Sequence, residues 1–284
     1  MTEQTVLDKQ IREYLLPQFF NAAVKAGAAI MKIYKNDDYH IDLKSDHTPI
    51  TIADRMAHNT IKECLGPTRI PVLSEEGREM LYDERRNWEM FLLVDPLDGT
   101  KEFIKGNNEF TVNIALMMNN ECIASALYVP YHQKMYVAAK GLGAYLIRDV
   151  EPKEDSSLNQ KEIEHLLERL PLESASHEEF RVAVSRSHQT PETHDRIDQI
   201  RQQHPDLKLI EQGSSYKFCL LAEGTIDYYV RTTNTYEWDT AAGELILAEA
   251  GGSTISYPEG RPLCYNKEDL KNPWFEARSA TCKL

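Results

Sequence analysis

Four apolar residues, Phe91-Leu92-Leu93-Val94, run directly into Asp95-Pro96-Leu97-Asp98-Gly99-Thr100. The apolar run reads as a buried strand. Two carboxylates three residues apart emerge from its end. Pro96 prevents a regular ladder between them, and Gly99 permits a tight turn or a close backbone approach. Hard divalent cations take clustered oxygen ligands, and Mg²⁺ in particular binds through a few carboxylates plus substrate phosphate. The segment therefore reads as a metal-binding corner able to hold a phosphate ester.

A chain of 284 residues can bury a large core around such a strand, as one α/β unit or as two closely packed halves. Its net charge of −13 excludes general nucleic-acid binding, because no excess of Lys and Arg exists to neutralise phosphates. An anionic substrate then needs local help from metal ions, helix N-termini or a few placed cations. The five cysteines, Cys64, Cys122, Cys219, Cys264 and Cys282, form no CxxC pair and no zinc-like spacing, so reduced thiols are expected. Met1 to Gln10 is polar and lacks a signal core, and no apolar run reaches membrane-spanning length. A cytoplasmic location is expected, with peripheral contact at the inner face of the membrane left open.

Helices are predicted at Phe19–Tyr34 and Thr51–Leu65, from apolar residues recurring on one face. A turn is expected at Ser45–Pro49, and short strands at Ile41–Leu43 and Pro71–Leu73. Phe110–Met117, Cys122–Val129 and Lys134–Ala139 read as an antiparallel meander. Asp149–Glu179 is rich in Glu, Ser and Lys and reads mainly as an exposed connection, with a short helix near Glu162–Leu170. Beyond it, strands at Arg181–Val184, Leu207–Ile210 and Ile226–Val230 alternate with helices at Pro191–Gln203, Ser214–Ala222 and Thr240–Ala250, which argues for α/β layering. The expected organisation is an N-terminal α+β half (1–150), an acidic connection (151–180) and a C-terminal α/β half (181–284).

Several segments carry the expected chemistry. Asp95 and Asp98 cannot both stay charged at one corner without compensation, and a metal is the simplest one. Asp98 alone also reads as a solvated turn residue. Glu75, in Ser74-Glu75-Glu76-Gly77, brings a carboxylate from a second strand end, whereas Glu76 reads as part of an exposed acidic turn. Asp239 stands near the start of a buried-helix pattern, where it serves equally as a metal ligand or a cap. Asp54 is a first-turn acid, or a base that orients a hydroxyl. The Gly99-Thr100 amides, Ser185-Arg186-Ser187-His188, Gly213-Ser214-Ser215-Tyr216-Lys217 and Arg231 offer hydroxyl, amide and cationic donors for a second anionic group.

Assembled, the chain resembles the inositol monophosphatase superfamily of Mg²⁺-dependent phosphatases, from about the first helix to near the C-terminus, and within it the CysQ-type 3'(2'),5'-bisphosphate nucleotidases. The resemblance rests on Thr48-Pro49-Ile50-Thr51-Ile52-Ala53-Asp54, Val72-Leu73-Ser74-Glu75-Glu76, Asp95 through Phe103, Ser185 through His188, Gly213 through Cys219 and Trp238 through Gly243. It implies the αβαβα sandwich shared with the fructose-1,6-bisphosphatase-like sugar phosphatases. It implies two to three Mg²⁺ ions on Glu75, Asp95, the Leu97 carbonyl, Asp98 and Asp239, with Asp95 bridging two of them. Asp54 and Thr100, with Glu75, would activate water, while Gly99, Thr100, Ser187, His188, Ser215, Lys217, Arg231 and Asp239 would hold substrate. The implied substrate is a small phosphorylated nucleotide, 3'-phosphoadenosine 5'-phosphate or its sulfated form, and the implied product AMP. Lithium sensitivity and a place in sulfur assimilation are further implications. An inositol or sugar phosphatase on the same scaffold stays open, as do a non-catalytic Mg²⁺- or nucleotide-binding regulator and a monomer or homodimer.

Overall fold

The structure, a computed structural model, describes residues 3–36, 41–44, 49–173, 178–186 and 189–284. It opens with α1 (Glu3–Gln10), a π-helical segment (Ile11–Leu15) and α2 (Leu16–Tyr34). A ribbon of β1 (Asp42–Leu43) and β2 (Pro49–Ile50) leads into α3 (Ile52–Leu65). The turn expected at Ser45–Pro49 falls largely outside the described residues. Then come β3 (Val72–Ser74), α4 (Tyr82–Arg85), β4 (Met90–Asp98) and α5 (Thr100–Ile104). The meander follows as β5 (Thr111–Met118), β6 (Glu121–Val129), β7 (Lys134–Ala139) and β8 (Gly143–Ile147). After α6 (Gln160–Glu164) and β9 (Glu168–Arg169), strand and helix alternate: β10 (Arg181–Val184), α7 (Pro191–Gln203), β11 (Lys208–Glu211), α8 (Tyr216–Glu223), β12 (Tyr228–Arg231) and α9 (Glu237–Glu249). β13 (Ser253–Ser256) and β14 (Phe275–Arg278) close the chain.

Strands β3 to β9 form one seven-stranded sheet in sequence order, antiparallel except for the parallel β3–β4 pair. The second sheet runs β11-β10-β12-β14-β13. Strand alternation decides what each face meets. Leu92 and Val94 join the core beneath α2 and α3 with Phe19, Phe20 and Ala57. Phe91 and Leu93 point the other way, into a core shared with α8, α9 and the inner face of the second sheet. Outside that sheet, Val182, Val184, Tyr228 and Val230 pack on Ile197 and Ile200 of α7. Both faces of β4 are therefore covered, which is why its sequence shows an unbroken apolar run. The layers read αβαβα, as expected.

Three features depart from the reading of the sequence. The stretch after Asp149 is more structured than a solvated connection: β9 pairs with β8, α6 supports α2, and Ile163 and Leu170 are buried. The helix there is Gln160–Glu164, capped by the Asn159 side chain at the Lys161 and Glu162 amides, and it stops before Leu166. α1, α4, β8, β13 and β14 had no expectation behind them, although β14 sits inside the second sheet between β12 and β13.

Candidate active site

β4 keeps its register with β5 as far as Asp95 opposite Asn113, then slips so that Asp98 faces Thr111. The slip is a bulge, and Pro96, which has no N–H to offer the ladder, lies within it. It turns the strand end inward. Asp95 is 0% exposed, and its Oδ1 accepts the Leu97 amide at 3.0 Å. Its Oδ2 is buried without a hydrogen-bond partner. The chain then passes through Gly99 at φ +92°, where a Cβ would come within 2.8 Å of the Glu109 carbonyl oxygen. Only glycine fits that turn.

The register brings in Glu75. β3 lies parallel to β4 with Ser74 opposite Val94, and the Glu75 amide donates to the Val94 carbonyl at 3.1 Å. Glu75 therefore stands beside Asp95. From the far side α9 delivers Asp239, whose Oδ2 accepts the Tyr236 amide at 2.8 Å and caps the helix. One oxygen from each of Glu75, Asp95 and Asp239 lies within 4.8 Å of the others. Burial, then Glu75, Asp98 and Asp239, push the Asp95 carboxyl well above the usual carboxylate range. Burial, then Asp98 and Glu75, do the same to Asp239. Three clustered carboxylates with an unsatisfied buried oxygen fit a hard dication, which replaces mutual repulsion with attraction.

Asp98 lines the same cleft but is not one of these three. Its Oδ2 accepts the Ser215 amide in a very short contact. The Leu97 carbonyl accepts a long bond from Thr100 Oγ1, at 3.4 Å. Thr100 Oγ1 also donates to Asp54 Oδ1 at 3.0 Å, so Asp54 sits one hydrogen bond behind the cleft wall. Its other oxygen accepts the Thr51 amide at 2.7 Å and the Thr51 hydroxyl at 2.6 Å. Burial raises the Asp54 carboxyl above its ordinary range against the pull of these donors.

Opposite the carboxylates, the cleft of about 210 Å³ is walled by Ser185, Ser215, Lys217, Tyr229 and Arg231. Lys217 is 3% exposed, and its ammonium donates to the Ser214 carbonyl at 2.7 Å and the Gln212 carbonyl at 3.0 Å. Burial, reinforced by Arg231, pushes it down to about 8. Arg231 donates to Ser185 Oγ at 2.6 Å and to the Asn234 carbonyl at 3.4 Å. Both cations are thus held by neutral oxygens. Ser215 is committed inward, its hydroxyl bonded to Asn113 Oδ1 at 2.9 Å and Thr111 Oγ1 at 2.7 Å. Ser187 and His188 lie outside the described residues.

Two groups escaped the reading of the sequence. Glu109 accepts the Gly213 amide at 2.7 Å and pairs with Arg186 at 2.8 Å, fixing the loop before α8. Nothing in its local sequence marks it. Lys44 donates to Glu75 Oε1 at 2.7 Å and also pairs with Glu76. Glu76 is accordingly no exposed turn residue: its side chain is 6% exposed, and burial raises its carboxyl to about 7 although Lys44 opposes the shift.

The model of the inositol monophosphatase family matches residues 12–277. The 3'(2'),5'-bisphosphate nucleotidase CysQ of Escherichia coli O6:H1 is 39% identical over 92% of this chain and 98% of its own length. The protein of that name from Haemophilus influenzae is 31% identical over 93% of each chain. Among solved structures, CysQ from Bacteroides thetaiotaomicron superposes with a TM-score of 0.84 at 44% identity, over 93% of this chain and 96% of that one.

Proposed function

Because the chain belongs to the inositol monophosphatase family, we propose that it is a Mg²⁺-dependent 3'(2'),5'-bisphosphate nucleotidase that removes the 3'-phosphate of 3'-phosphoadenosine 5'-phosphate. The likeness to CysQ proteins along nearly their whole length carries this reading. The cleft supports it. One wall is acidic and suits a metal-clamped scissile phosphate, while the other holds two cations on neutral oxygens and suits a second phosphate. An inositol monophosphate has no second phosphate to use that wall.

Glu75, Asp95, the Leu97 carbonyl, Asp98 and Asp239 would hold two to three Mg²⁺ ions. When bound there, the ions supply charge neutralisation for the phosphate and a lowered pKa for the attacking water. The chain's own contribution is positioning and proton movement. Thr100 donates a hydrogen bond to Asp54 Oδ1, which leaves the Thr100 oxygen free to accept a hydrogen bond from the water. As the water is deprotonated toward Thr100, the Thr100 proton passes to Asp54. The second Asp54 oxygen is already held by Thr51, so the carboxylate cannot rotate away. Gly99 and Thr100 would approach the scissile phosphate, and Lys217 and Arg231 would hold the distal one. Ser215 braces Asp98. The five cysteines are free, in keeping with a cytoplasmic enzyme. Among the described residues no helix is long and apolar enough to cross a membrane.

Phosphate release from 3'-phosphoadenosine 5'-phosphate, run beside inositol 1-phosphate with Mg²⁺ and then EDTA, tests this. Mg²⁺-dependent turnover of the nucleotide in preference to the inositol ester is expected. The reverse preference would move the enzyme to the inositol phosphatases, and silence on both would leave a binding protein.

A further inference from the structure

We propose that Lys44 is a built-in counter-ion that competes with the cation that Glu75 would help to hold, and so sets how tightly that cation binds. The inference rests on the metal-dependent reading above. Lys44 Nζ reaches Glu75 Oε1 at 2.7 Å and Glu76 on its other side. Glu75 is also one of the three carboxylates that converge within 4.8 Å. An ammonium bound to a carboxylate oxygen occupies lone pairs that a metal would use, and its charge repels a dication nearby.

The supports of the two partners are unequal. Glu75 follows β3, which is hydrogen-bonded to β4 inside the seven-stranded sheet. Lys44 follows β1, which among the described residues pairs with β2 alone in a two-stranded ribbon. Such a ribbon is marginal by itself. Leu43 on it is 66% exposed and Ile41 just before it 50%, and the Asp42–Arg55 ion pair is exposed as well. When a cation takes Glu75, the lysine is therefore the partner that moves, and Glu76 remains within reach to retain it. Coupling of this kind is reciprocal: the lysine weakens the metal by the factor by which the metal weakens the lysine's grip.

Calorimetric titration of the whole chain with Mn²⁺ and Mg²⁺, without substrate, tests the idea in the wild type, Lys44→Met and Lys44→Arg. The Met variant is expected to bind the ion that uses Glu75 on the order of tenfold more tightly. The Arg variant should stay near the wild type. Lys44→Gln repeats the loss of charge should the Met variant fail to fold. Amine acylation read by mass spectrometry gives the reciprocal measurement, and Lys44 should react faster once Mg²⁺ is added. Equal or weaker metal affinity in both neutral variants, or Lys44 reactivity indifferent to Mg²⁺, would overturn the proposal while leaving the metal site intact. A wild type that bound neither ion would overturn the metal reading and this proposal together.

Discussion

Two carboxylates at the site serve two purposes at once, and in Asp54 each purpose uses a different oxygen. Asp54 caps α3 with Oδ2 and receives Thr100 on Oδ1; Asp239 caps α9 with Oδ2 and also belongs to the acidic cluster. Cap or site group was a choice the sequence left open, and the fold shows the cap in both cases while leaving each carboxylate at the cleft. Thr100→Ala should lower kcat by on the order of 100-fold or more, the range of a lost proton relay, while calorimetry shows metal uptake nearly unchanged. Full turnover in that variant would remove the relay. Lys217 carries a different signature. With its ammonium depressed to about 8, it is charged below that pH and neutral above. KM for the bisphosphate should therefore rise as pH passes upward through about 8, and KM for a single-phosphate ester should stay flat. Lys217→Arg, whose side chain keeps its charge, should flatten the bisphosphate profile. A wild-type profile that does not respond would detach Lys217 from the second phosphate.

Among the elements, legibility followed burial. β4 to β7 announce themselves because continuous apolar runs must be covered on both faces, and α2, α3 and α9 because their buried faces are long. β9 is two exposed residues, Glu168 and Arg169, with no pattern to detect. β14 alternates Phe275-Glu276-Ala277-Arg278, but Glu276 is buried through Arg196, Arg278 and Tyr228, so its polarity hid an interior strand. The acidic corner was legible for a different reason: Pro96 and Gly99 mark the bulge and the turn, and the two aspartates flank them in sequence. Lys44 was not, because nothing near it in sequence reveals a partner three elements away. Helix packing is equally exacting at Gly243, where a Cβ would lie 2.7 Å from Phe218 Cβ. Gly243→Ala should cost about 1–3 kcal/mol, as overpacked cores do, and lower Tm by several degrees. Because α9 carries Asp239, metal affinity should fall with it. An unchanged Tm would mean that α8 and α9 separate freely.

For the whole molecule, the acidic cluster is a load on the metal-free fold. Asp95→Asn removes a buried charge from between Glu75, Asp98 and Asp239 while keeping the oxygen that accepts the Leu97 amide. In EDTA this variant should melt higher than the wild type. Mg²⁺ should raise the Tm of the wild type and leave the variant unmoved, since only the protein that binds the ion is stabilised by it. The raised carboxyls of Asp95 and Asp239 mean that the folded chain holds protons more tightly than the unfolded one. In EDTA the wild type should therefore recover stability relative to the variant as pH falls. A variant that melts lower than the wild type at every pH would show that the repulsion is already relieved within the protein.

α9, which packs under the large sheet and against β13 of the small one, also has a temporal consequence. It lies late in the chain, whereas the sheet face it covers, with Phe91, Leu93, Met117 and Tyr136, leaves the ribosome far earlier. That greasy face stays uncovered while more than a hundred further residues are translated, the interval in which a nascent chain is most in need of a chaperone. The helix that completes the acidic cluster is also the one that ends that exposure.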